Sequence, residues 1–177
     1  MKKFTIEFTW AVIYTLASLL WTVFEKSLGF HDKYIGSQMI FVWLFGSPAF
    51  IIYFFALKDK RNNFYSGNAS WQQLFLSGLV LSVFVALMSP VAQYVSFNVI
   101  SPNWIKNSVN YYIEVKKMAP ENAKMLFSFN GLILQAISNG ISIGVIISSI
   151  VALWLKTKTI TPEPQPAKPQ SKKKRKK

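Results

Sequence analysis

Hydrophobic residues gather along the chain into four runs that hold no Asp, Glu, Lys, Arg or His, at 8–24, 34–57, about 74–100 and about 132–155. The hydrocarbon core of a bilayer takes about 20 helical residues to cross, with a range of about 17–25, so each run predicts a membrane-spanning helix. The first run is the shortest, and Thr5 and Ile6 extend it, which puts Glu7 near the headgroups. The third lies in a longer uncharged stretch, 62–105, edged by Asn, Gln and Ser clusters on one side and by Asn98, Pro102 and Asn103 on the other, and reads as one span. A signal peptide fits the first run poorly: Glu7 interrupts it, Leu19, Leu20 and Trp21 continue it past Ala17-Ser18, and three more spans follow. The predicted fold is an all-α integral membrane protein, with a four-helix transmembrane bundle in residues 1–158. Residues 159–177 are expected to form a disordered, Pro-rich and polybasic cytoplasmic tail.

The connections differ in kind. Residues 25–33 are few enough to force an antiparallel hairpin, and 58–73 mix Lys and Arg with Phe64, Tyr65 and Trp71, as an interfacial segment would. In 101–126, Trp104, Ile105, Val109, Tyr112, Ile113 and Val115 can line one side of a short amphipathic helix on the extracytoplasmic surface. Pro120 followed by Glu121 marks a helix start leading toward the fourth span. Ser47-Pro48 and Ser89-Pro90 each remove a backbone hydrogen bond inside a span and should bend it.

Composition agrees with a membrane chain: 51% of residues are hydrophobic, 16% aromatic and only 15% charged. The net charge of +13 is uneven, since the 22 residues from Lys156 onward contribute +8 and the other 155 contribute +5. That places the basic character in the tail and argues against a nucleic-acid-binding domain. Lysine and arginine also set orientation. One side of the spans carries Lys2, Lys3, Lys58, Lys60, Arg61 and nine tail residues, against six lysines on the other, so both termini and the middle loop are expected on the cytoplasmic side. Trp10, Trp71 and Trp154 fall toward the inner interface in this reading and Trp21 and Trp104 toward the outer one.

Candidate chemistry is sparse. Cysteine is absent, which removes disulfides and thiolate sites. In the fourth span Ala136, Gly140, Gly144, Ser148 and Ala152 recur every fourth residue, and Gly78, Ser82 and Ala86 do so in the third. Small residues at that spacing let helices approach closely, either between spans three and four or across a dimer face. Gln135 and Asn139 lie beside the first ridge, while Ser89, Gln93 and Ser96 form a polar stripe on the third span. They are expected to bond one another across helices, or else to line an outward-open cavity. Glu25, His31 and Asp32 flank the first hairpin; beside Lys26 and Lys33 they read as a solvated cap with its own ion pairs, not as a metal site. No catalytic or cofactor-binding set is found, and no ionisable group is expected inside the spans. In the tail, Pro162, Pro164, Pro166 and Pro169 form an extended spacer ahead of Lys172, Lys173, Lys174, Arg175, Lys176 and Lys177. That basic hexamer would bind anionic lipid or another acidic partner, RNA or the ribosome included.

The runs EKSLGFHDKYI at 25–35, ALKDKRNNFYSG at 56–67, WQQLFLSG at 71–78 and LMSPVAQY at 87–94 resemble the domain of unknown function 4199 family, small membrane proteins found mainly in Bacteroidetes. The resemblance covers about residues 3–155 and implies a four-helix inner-membrane protein with no established activity; it does not reach the tail. Taken together, the sequence suggests a non-catalytic interaction or accessory subunit, paired with another membrane protein or with itself. The alternative is a small oligomeric transporter or channel that uses the polar stripe.

Overall fold

The computed structural model describes residues 4–157, so Lys172 to Lys177 and the rest of the tail lie outside the described residues. Its elements are all helical. Four assemblies are long and apolar enough to cross a membrane: Thr5–Ser27, Ile35–Phe64, Trp71–Ile100 and Phe129–Leu155.

The first is one helix, α1 (Thr5–Ser27), whose Thr9, Thr15 and Thr22 hydroxyls donate to carbonyls four residues back and so add no unsatisfied groups. The second is broken. A short 3₁₀ turn, Ile35–Ser37, leads into α2 (Gln38–Leu44), and α3 (Gly46–Asp59) resumes beyond Phe45. Pro48 sits three residues past that break, where its missing N–H and its ring would have disturbed a continuous helix. The third, α4 (Trp71–Tyr94), begins with a capping box: Ser70 Oγ accepts from Gln73 N–H, and Gln73 Oε1 accepts from Ser70 N–H. Beyond Tyr94 it widens into a π-helical turn, Val95–Ile100.

Two short helices follow, α5 (Trp104–Glu114) and α6 (Pro120–Leu126). Pro120 does start a helix, yet that helix stops at Phe127. A new one, α7 (Phe129–Leu155), is capped by Ser128 Oγ on Gly131 N–H at 3.0 Å. The two are separate elements where one run was expected.

Helix α4 is central, packed along α7 on one side and against α1 on another, with α3 touching both α1 and α7. The shared core holds Ala11, Ala49, Tyr53, Leu57, Leu74, Leu81, Val151 and Leu155. A second, smaller core of Trp104, Phe127 and Leu132 joins α5 and the α6–α7 corner. At the end of the bundle that carries Lys60, the turn after α3 passes through two left-handed residues, Ser66 and Gly67. It then clasps the end of α7: Thr157 N–H donates to the Ala69 carbonyl at 2.9 Å, Ala69 N–H donates to Thr157 Oγ1 at 3.1 Å, and Arg61 donates to the Leu155 carbonyl.

Candidate functional site

Three groups of polar side chains stand out against this apolar frame, one at each end of the bundle and one on α7. At the Lys60 end, Glu7 of α1 is 3% exposed and Lys60 is equally buried. Lys60 Nζ lies 2.8 Å from Glu7 Oε1, and Ser77 Oγ of α4 donates to the same oxygen at 2.7 Å. One carboxylate thus joins the first three spans. Lys60 Nζ also sits 3.8 Å from the centre of the Phe64 ring, a cation–π contact that helps hold a desolvated ammonium. Beside the pair, Asp59 accepts from Trp10 Nε1 at 2.8 Å and from Asn63 Nδ2 at 2.6 Å. Burial pushes the neighbouring Tyr65 hydroxyl above the usual tyrosine range, and the Glu7 carboxylate adds to that.

At the opposite end, Glu25 and His31 are buried, at 4% and 1% exposure. A carboxylate only accepts, so His31 Nε2–H donates to Glu25 Oε2, at 3.2 Å, and Gln38 Nε2 donates to the same oxygen at 3.3 Å. Trp104 Nε1 then donates to Gln38 Oε1 at 2.7 Å, which ties α5 to the start of α2. Asn107 donates to the His31 carbonyl and to Asp32. His31 Nδ1 is buried without a hydrogen-bond partner.

Both findings correct the sequence reading. The ionisable groups expected outside the spans belong to the helices, since Glu7 and Glu25 are both residues of α1. The expected solvated cap is split: Glu25 and His31 turn inward while Asp32 turns to Asn107 at the surface. The signal missed was spacing. Glu7 and Glu25 lie 18 residues apart, about 27 Å along a helix, close to the roughly 30 Å hydrocarbon thickness. The two acids therefore sit about one hydrocarbon thickness apart along α1.

The small-residue ridges meet over part of their length. A Cβ on Gly78 would collide with Ser148, and one on Gly144 would collide with Ser82 and come within 2.8 Å of the Tyr53 hydroxyl. Tyr53 donates to Ser82 Oγ at 2.9 Å, while Ser82 itself donates to the Gly78 carbonyl. Ala86 is buried, but Gly140, the next small residue on α7, has nothing within 4 Å of where its Cβ would be, and Ala136 is half-buried. The close fit seen at Gly78 and Gly144 is therefore not repeated at Gly140. Here Pro90 interrupts α4, and Ser89 Oγ donates to the Ala86 carbonyl that the proline leaves free.

The polar stripe does not close across the two helices. Ser89 is spent inside α4, and Gln93 Oε1 is buried without a partner. Gln135 donates to the Leu126 carbonyl at the end of α6, and the Asn139 side chain is exposed with no hydrogen bond among the described residues. At 3.6 residues per turn, Gln135, Ser138, Asn139 and Ser142 share one face of α7, and all four are exposed. Further along α7 the buried residues Gly144, Ile147, Ser148, Val151 and Leu155 lie on the opposite face, whereas Leu132, buried with Trp104 and Phe127 near the start of the helix, lies on the side of the polar row. Sequence periodicity found Gln135 and Asn139 but missed that Ser138 and Ser142 continue their row.

A sequence model of the family described as Protein of unknown function (DUF4199) matches residues 9–157. None of the curated proteins and none of the solved structures matches the chain.

Proposed function

The chain belongs to the DUF4199 family, and on that premise we propose that it is a non-catalytic interaction component of a bacterial inner membrane that offers the outward face of α7 to a protein partner. The exposed row Gln135, Ser138, Asn139 and Ser142 carries this reading. A carboxamide facing lipid without a hydrogen bond costs on the order of 2–7 kcal/mol relative to water. A neighbouring helix that supplies polar groups removes that cost, and each such bond in a bilayer contributes about 0.6 kcal/mol on average.

Orientation follows the lysine and arginine asymmetry, which supports cytoplasmic termini and an extracytoplasmic α5. The hexamer Lys172 to Lys177 would then meet anionic headgroups of the inner leaflet, at roughly 1 kcal/mol per charge. One observation favours the rival, a small oligomeric transporter: buried ionisable side chains at both ends of the bundle are the kind of group that relays ions.

A photocrosslinking amino acid at Asn139, with Val151 as the buried control, tests the reading in native membranes. Protein adducts at 139 and none at 151 are expected. Lipid adducts alone would overturn it, and reaction of Asn139→Cys with a small hydrophilic thiol reagent would favour the transporter.

A further inference from the structure

We infer that the partner on the outward face of α7 is a second copy of this chain, paired in parallel about an axis normal to the membrane so that Asn139 of each copy bonds Asn139 of the other. The inference rests on the interaction reading above and adds the identity of the partner.

Depth is the first argument. A bilayer fixes how far every residue lies from its surface, and two copies inserted the same way present Asn139, Ser138 and Ser142 at the same level. An unrelated partner would need a polar row of its own at that depth. The second argument is chemical: a carboxamide holds both a donor and an acceptor, so two copies about a twofold axis satisfy each other without any new group type. The row is also neutral, and so calls for no charged partner. The third concerns the rest of this chain. Residues 158–177 carry eight basic side chains, which suits them poorly to covering an uncharged row inside the hydrocarbon.

The face is long enough to serve. Below the polar row it continues as Ile146 (60% exposed) and Leu153 (53% exposed). From Gln135 to Leu153 that is about 27 Å along the helix, close to the full apolar layer. The small side chains of Ser138 and Ser142 let a second helix approach closely. Helix α7 is also held rigidly for the purpose, locked to α4 on its other side and clasped at Thr157, so little ordering is lost on pairing.

Because the chain has no cysteine, single replacements in the full-length protein report on this directly. Oxidation in native membranes should link Ser138→Cys and Ser142→Cys into dimers and leave Val151→Cys, on the α4 side, and Leu16→Cys, exposed on α1, monomeric. With Ser142→Cys as reporter, adding Asn139→Leu should lower the linked fraction roughly threefold to tenfold, and Asn139→Gln should restore most of it. Equal linking at Leu16 and Ser142, or no linking at 138 and 142, would overturn the second copy. If photocrosslinks at Asn139 then capture a different protein, the interaction reading stands without the dimer. Adducts to lipid alone would remove both.

Discussion

Glu7 takes donors from two other spans and lies 3% exposed, so its worth depends on what is left when it goes. Removing one member of a buried pair strands the other and costs about 3–5 kcal/mol, whereas replacing both with apolar groups of similar volume is often neutral or stabilising. Glu7→Leu alone and Lys60→Met alone should therefore each lower the melting temperature in detergent steeply. The double variant should recover most of the loss. Additive losses in the double variant would show that the two side chains act separately. The same residues show what a sequence conceals at this scale. Glu7 and Lys60 are 53 positions apart, and each read alone is an ordinary charge at the rim of an apolar run; only the meeting of α1, the turn after α3 and α4 makes them one buried unit. His31 is a similar case, because its loop position suggests solvent and only the arrival of Trp104 and Gln38 closes it off.

Between elements, α4 and α7 interlock through reciprocal small residues, Gly78 against Ser148 and Gly144 against Ser82, and the interlock ends before Gly140. Overpacking a fitted contact costs typically about 1–3 kcal/mol. Gly144→Ala should then destabilise the chain by about that amount and disturb the Tyr53–Ser82 bond, while Gly140→Ala should be nearly neutral and, by helix propensity, slightly favourable. Equal losses in thermal denaturation would mean that the helices stay together past Ser82. The fourfold spacing of small residues was legible in the sequence, and so was the existence of a close helix pair. Where the contact stops was not, because it depends on how α4 behaves at Ser89-Pro90, and periodicity treats a ridge as straight. For the same reason two rows on α7 looked adjacent in sequence, although one faces α4 and the other faces away.

For the whole molecule, four spans were readable because bilayer thickness sets helix length independently of packing. The helices overrun the predicted spans at their ends, and the margins beyond those spans hold the capping serine of α4 and both buried acids. Orientation is carried by charge alone and can be checked on intact cells. Ser27→Cys and Asn110→Cys, both exposed positions, should react with an impermeant thiol reagent, and Ser66→Cys only after lysis. Labelling of Ser66→Cys in intact cells would invert the topology.

The clasp at Ala69 and Thr157 also fixes a point of departure. A chain spans at most about 3.6 Å per residue, so Lys172 can lie no farther than about 54 Å from Thr157, whatever path the intervening residues take. The start of the basic hexamer is thus tethered within that reach of the clasp. Anything it captures is confined to a small volume, where a weak attachment at either point is strengthened by the other through raised local concentration. Two copies joined along α7 would place two such leashes side by side, turning a modest attraction per charge into a bivalent hold.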